Sequence, residues 1–160
     1  MKRLVRVFAS VAVAWSLVGA GAYFTDRAEV PDNVVRAGEV SVSTEPTSAA
    51  LSVVGLAPGA TIDRSVSVVN DGDLTENVVL SCAKKAGITD FYNALTCRVI
   101  ADGIAVYDGP LKALKTTPFT IKPGERVSVI VAVSLPAQSG NDLAGAYVRT
   151  TLYVDAEQVR

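Results

Sequence analysis

Apolar and polar residues alternate with a period of two along most of the chain after about residue 38, with β-branched residues in one register, and this is the pattern of half-buried antiparallel strands. In Arg126 to Leu135, Val127, Val129, Val131, Val133 and Leu135 share one face while Ser128 and Ser134 take the other. The last run repeats the pattern: Ala146, Val148, Thr150, Leu152, Val154 and Ala156 lie against Tyr147, Arg149, Thr151, Tyr153 and Asp155. Ile62, Val66 and Val68 form a further face with Arg64 among them, Val78, Leu80 and Cys82 another, and Gly38 to Ser43 a short one with Val40 and Val42 in phase. Pro58-Gly59 and Pro123-Gly124 each precede a strand, and Asn70-Asp71-Gly72-Asp73 joins two. Asp102-Gly103 marks a two-residue hairpin, because both central positions of a type I′ turn need positive φ. Asp108-Gly109-Pro110 is expected to break the chain again, and Thr89 to Leu95 is the one helical piece. Roughly seven or eight strands at this turn spacing predict an all-β fold, a single antiparallel β-sandwich of the jelly-roll or Ig-like kind.

The first residues follow another pattern. Lys2, Arg3 and Arg6 precede an uncharged run from Val7 to Thr25, with small residues from Gly19 to Ala22, which is the layout of an export signal. Ala20 and Ala22 suit the shallow pockets of a signal peptidase, so the cut is expected after Ala22 and the mature chain starts at Tyr23. An uncleaved anchor is the alternative, since 19 uncharged residues just span a bilayer as a helix. The expected organisation is a signal peptide over 1–22, an amino-terminal arm over 23–37 and a sandwich domain over 38–160.

The chain carries 15 Lys+Arg and 16 Asp+Glu in 160 residues, with 49% apolar residues and pI near 5.4. Removing three basic residues with the leader leaves 12 against 16, about −4, and no basic cluster offers a footprint for nucleic acid. The chain has no His, which removes the commonest general base, the usual zinc ligands and every Ser-His or Cys-His pair. In an oxidising compartment the two cysteines, Cys82 and Cys97, have one internal pairing open to them. A bridge between them closes 97 − 82 = 15 residues, worth about 3 kcal/mol by chain entropy. Asp71 with Asp73 reads as turn chemistry; an oxygen-only calcium site using Asn70, Asp71, Asp73 and Glu76 is the sharper alternative, without EF-hand spacing. Ser81 to Lys84 is the one Ser-x-x-Lys spacing, and it lacks the companion motifs of Ser-Lys acyl enzymes. Lys84-Lys85 is expected at a solvated corner. No catalytic, cofactor-binding or metal residue is assigned.

Several segments, in order, resemble one family. Ala22-Tyr23-Phe24-Thr25-Asp26 followed by Arg36-Ala37-Gly38-Glu39-Val40 resembles the start of the TasA/camelysin family. Leu56-Ala57-Pro58-Gly59, Val69-Asn70-Asp71-Gly72-Asp73-Leu74, Ile121-Lys122-Pro123-Gly124-Glu125, Val133-Ser134-Leu135-Pro136 with Gly140-Asn141, and Tyr153 to Gln158 continue the likeness. The resemblance implies a β-sandwich, a SipW-like signal peptidase, residence outside the cell at its surface, and assembly into extracellular biofilm fibres in which a donated amino-terminal strand completes the next subunit. Val35 stands where an aromatic residue is usual in that family, and the cysteine pair is not one of its general features. The implied partners are other copies of this chain in an open filament, or a related matrix or cell-surface protein. The arm's apolar anchors are Phe24, Val30, Val34 and Val35, with Pro31 removing one backbone donor. Main-chain pairing and those anchors would supply the affinity, and an open head-to-tail contact builds a filament. A monomeric secreted adhesion or ligand-binding sandwich is the second reading. A camelysin-like secreted peptidase ranks third, because a zinc peptidase of the HExxH kind needs His.

Overall fold

The computed structural model describes residues 25–30, 33–34, 42–45 and 51–159. Its strands are β1 (Thr25–Val30), β2 (Asn33–Val34), β3 (Val42–Glu45), β4 (Leu51–Val54), β5 (Thr61–Asn70), β6 (Glu76–Gly87), β7 (Thr96–Ala101), β8 (Ile104–Pro110), β9 (Phe119–Ile121), β10 (Arg126–Ser134) and β11 (Tyr147–Gln158), with one short helix, α1 (Thr89–Ala94). They form two antiparallel sheets. One runs β2-β1-β11-β6-β9, with β4 also on β11; the other runs β3-β5-β10-β7-β8. An all-β antiparallel sandwich was the expectation from alternation, and it holds.

Each sheet is apolar on its inner face for the reason the period gives: side chains of a strand alternate between faces, and only one face meets the other sheet. Val66, Val68, Val99, Val127, Val129, Val131 and Val133 of one sheet are buried, as are Val78, Leu80, Val148, Leu152 and Val154 of the other. Each such side chain is worth about 1.5–3 kcal/mol against exposure. Phe91, Tyr92 and Leu95, in and just after α1, together with Leu111, fill the core at one end, called here the helix end. The opposite end carries the turns at residues 70–75, 102–103 and 123–124, and is called the hairpin end.

The turns form as their residues require. Asp102 and Gly103 have φ of 48° and 84°, and the β7–β8 hairpin closes over them. At Lys122-Pro123-Gly124-Glu125 the Glu125 N–H donates to Lys122 O at 3.0 Å with Gly124 at φ 71°, a type II turn with glycine at its third position. Elsewhere the chain mostly crosses between sheets, as from β5 to β6, from β8 to β9 and from β10 to β11.

Two expectations are corrected, and a third is met over its described residues. β8 runs unbroken through Asp108-Gly109-Pro110, which pair with Arg98, Cys97 and Thr96. It is the outermost strand of its sheet, where a proline costs no inner ladder bond. Lys84 and Lys85 lie inside β6, not at a corner: the strand continues to Gly87 with an irregular register opposite Arg149/Thr150, and the Lys85 ammonium lies 5.6 Å from the Tyr153 ring centre. The strand expected over Gly38 to Ser43 is described from Val42, which is fully buried, to Glu45. Val40 lies outside the described residues.

Candidate functional site

β11 is the strand on which the amino-terminal region meets the sandwich. One of its edges pairs with β6 along Val148 to Gln158. The other edge is shared: β4 covers Tyr147 to Thr150, and β1 covers Leu152 to Glu157, with Thr25 opposite Glu157 and Val30 opposite Leu152. β2 then turns back on β1, Val34 opposite Ala28. Of the anchors expected in the arm, Val30 and Val34 therefore lie in strands of the chain's own sheet. Phe24 and Val35 lie outside the described residues, as do the cleavage positions Ala20, Ala22 and Tyr23.

The cysteines do not form the expected bridge. Both are free thiols, Cys97 buried and Cys82 half-buried. Cys82 Sγ donates to Leu111 O at 3.2 Å, and it lies 3.6 Å from the Tyr92 hydroxyl. A thiol has one proton, so with that proton on Leu111 O the tyrosine is the donor in the second contact. Cys82 sits in β6 and Cys97 in β7, on opposite sheets, and the sulfur of Cys82 is turned toward the α1–Leu111 wall. Burial, followed by the neighbouring Cys82 and Asp108, pushes the Cys97 thiol up to about 12. Burial likewise raises Cys82, partly offset by the Tyr92 hydroxyl, and raises Tyr92 itself. Both thiols are thus kept protonated, the opposite of a reactive or metal-binding cysteine.

The polar turn at residues 70–76 resolves into backbone satisfaction. Asn70 is fully buried; its Nδ2 donates to Leu74 O at 2.7 Å and to Ile121 O at 3.1 Å, while its Oδ1 accepts from the Gly72 N–H at 2.8 Å. That side chain ties the β5–β6 turn to β9. Glu76 is buried at the start of β6, opposite Ile121 and Gln158. Ser81 and Lys84 are not brought together: Lys84 Nζ donates to Gly87 O at 3.0 Å and Thr89 Oγ1 at 2.6 Å. Lys84 is three positions along the strand from Ser81, an odd offset that places them on opposite faces.

Sequence reasoning missed one concave feature. Between β8 and β9, at the hairpin end, a cleft of about 390 Å3 is walled by Ala101, Val106, Phe119 and Val127, and also lined by Asp102 and Glu125. Phe119 to Ile121 is too short for alternation to show a strand, and the pairing of β9 with β6 is what raises the wall.

Fold and site together define a β-sandwich whose terminal strand carries two separate short strands along one edge. Among the described residues no helix is long and apolar enough to cross a membrane. The chain belongs to the camelysin family: the family described as "Camelysin metallo-endopeptidase" matches residues 1–106, a stretch that reaches into β8. At the level of the family it is a secreted protein of the TasA/camelysin kind. No curated protein matches the chain. The family description implies a metal, and the residues here do not fit one of the peptidase kind. The chain has no His, its two thiols are held protonated by burial, and among the described residues no three His, Cys, Asp or Glu side chains gather.

Proposed function

We propose that this protein is a secreted structural subunit that assembles with its own copies through its amino-terminal arm, in fibres at the cell surface like those of TasA-type biofilm matrix proteins. The observation that carries the reading is the divided edge of β11. Its Leu152 to Glu157 stretch is covered by a strand from the start of the chain, six residues long and joined to the sandwich only through β2 and the seven residues at 35–41. The same stretch of β11 offers the same backbone groups to the β1 of another copy, so exchange replaces each contact with its equivalent. In this reading the leader is removed after Ala22 by a SipW-like peptidase, and the protein is not an enzyme.

Electron microscopy of the mature chain from Tyr23 beside a truncation from Gly38 tests this. Filaments are expected from the first alone; filaments from both, or from neither, defeat the mechanism. Amino-terminal sequencing of secreted material is expected to begin at Tyr23. Casein digestion with and without a chelator tests the absence of catalysis, and chelator-sensitive cleavage overturns it.

A second reading has one observation in its favour. β1 lies on its own β11, so a self-closed chain that does not polymerise, an adhesion or ligand-binding sandwich, is the form expected when copies are dilute.

A further inference from the structure

The cleft between β8 and β9 takes no part in the pairing on β11, and its chemistry points to an occupant. At about 390 Å3 it has the size of a site for a compact group. Ala101, Val106, Phe119 and Val127 give it apolar walls; Asp102 and Glu125 are its charged residues, and none of the residues lining it is basic. Two carboxylates beside apolar walls select a cation carried on an apolar body.

The export reading above, on which this inference rests, produces such a group. Cleavage after Ala22 leaves an α-ammonium on Tyr23, followed by Phe24. We propose that the cleft receives the amino-terminal Tyr23-Phe24 of a second copy, its ammonium paired with Asp102 and Glu125 and its aromatic rings against the apolar walls.

The register shows why the copy must be a second one. Thr25, Glu157, Asn77 and Thr120 form one row across the sheet, through β1, β11, β6 and β9, and Thr120 lines the cleft. The start of β1 therefore lies three strand spacings from the cleft, about 14 Å. Two residues of backbone extend over at most about 7 Å, so the Tyr23 ammonium stops about 7 Å short of its own cleft. The row also shows how two copies meet. Thr25 and the cleft sit at the same end of the sandwich, on opposite sides of it. A two-fold axis at that end, normal to the sheets, exchanges the sides and brings the start of each β1 to the partner's β8–β9 side. The contact is reciprocal and closed. It is made while β1 stays on its own β11, so the pair is a resting dimer, distinct from the open filament of strand exchange.

The test uses the full mature chain from Tyr23, tethered at low density so that copies do not meet, and the tetrapeptide Tyr-Phe-Thr-Asp with a free amine and an amidated carboxyl end. Four residues are too few to replace β1 on β11. Asp102→Asn keeps a residue type that tolerates φ of 48°. Glu125→Gln keeps an oxygen for the Lys122 N–H, now at 2.8 Å. The double variant is therefore expected to retain its melting temperature. Saturable binding of the peptide is expected, at least tenfold weaker for the amino-acetylated peptide and for the double variant. In sedimentation the wild-type chain is expected to be a dimer at concentrations where the double variant is a monomer. Absence of binding at millimolar peptide, equal binding of the acetylated peptide, or equal dimerisation of the variant overturns the proposal, as does a first residue other than Tyr23 on the secreted chain. Filaments that need the arm, in a protein whose tetrapeptide binding ignores Asp102 and Glu125, leave the fibre reading standing and remove this one. Peptide binding that needs both carboxylates, in a protein that forms no filaments, does the reverse.

Discussion

Asn70 offers the sharpest test of how the hairpin end is held. Asn70→Ala removes three hydrogen bonds, to Leu74 O at 2.7 Å, to Ile121 O at 3.1 Å and from the Gly72 N–H at 2.8 Å. At about 1 kcal/mol net for each, the direct loss is about 3 kcal/mol. The bond to Ile121 O is buried, so that carbonyl is left without its donor in a dry place, which adds about 1–2 kcal/mol. The expected loss is about 4 kcal/mol. Urea unfolding of the mature chain followed by circular dichroism should show the midpoint falling by roughly 2 M with the slope unchanged. A loss below about 1 kcal/mol refutes the claim that this side chain ties β5, the turn and β9 together. Asn70→Asp separates this account from a calcium site. The carboxylate keeps an acceptor for Gly72 but cannot donate to either carbonyl, so the variant should be as unstable as Asn70→Ala. Recovery of its stability in millimolar calcium would favour the oxygen-ligand reading of Asn70, Asp71, Asp73 and Glu76 instead.

Three further outcomes follow from the core and its rim. Cys97, buried and held up at about 12 from an ordinary 9.0, should resist a thiol reagent at pH 8 in the folded chain, and two thiols should react once urea is added; none reacting without reductant would show a bridge. The same shift gives a pH dependence with a definite sign: above about pH 9 the unfolded chain ionises this thiol while the folded chain does not, so the unfolded state binds fewer protons and stability falls between pH 9 and about 12. A stability flat over that window contradicts the burial of Cys97. Gly87→Ala should cost at least about 2 kcal/mol in thermal unfolding. Gly87 has φ of 101°, and a Cβ there runs into Tyr147 O and comes within 2.7 Å of Val148 Cα, the strand to which β6 is bonded; an unchanged melting temperature would show that this corner yields.

The alternating strands were readable because one face of each is buried by the other sheet. β10 begins where the pattern begins, and Val127, Val129, Val131 and Val133 point inward as their register requires. The hairpin at Asp102-Gly103 was readable because its turn chemistry is local. β4 and β9 were not, since four and three residues carry too few alternations and are strands only through β11 and β6. Thr151 shows the same limit from the other side. It stands in the outward register beside Tyr147 and Arg149, yet it is buried, and the shifted register after Arg149 lies next to it. The candidate site was legible only in part. The arm could be recognised as a strand-forming segment, but its placement on its own β11 depends on partners far away in sequence, and so does the wall that makes the β8–β9 cleft. The thiols mislead for a similar reason: spacing and compartment favour a bridge, whereas the direction of Cys82 Sγ is set by Leu111 and Tyr92, which only the fold brings to it.

The arm's hinge should decide between the closed chain and the fibre. Exchange of β1 between copies keeps every backbone pairing on β11, so contact energies cancel, and what remains is the freedom lost on association against any strain in the connection. That connection is residues 35–41, seven residues between β2, in one sheet, and β3, in the other. Packed sheets lie about 10 Å apart, so the hinge must cross that gap to let the arm dock at home. Deleting Val35 to Val40 leaves one residue, whose two Cα–Cα steps reach at most about 7 Å, too short for the crossing, and so strains the closed form only, because an exchanged arm leaves its own sandwich. A shortened hinge of this kind promotes swapping. The deletion should lower the concentration at which filaments appear, and insertion of six Gly and Ser residues at the same place should raise it, in electron microscopy or light scattering of the mature chain over a concentration series. Opposite shifts, or none in either variant, would mean that β1 does not leave its own β11 when copies assemble.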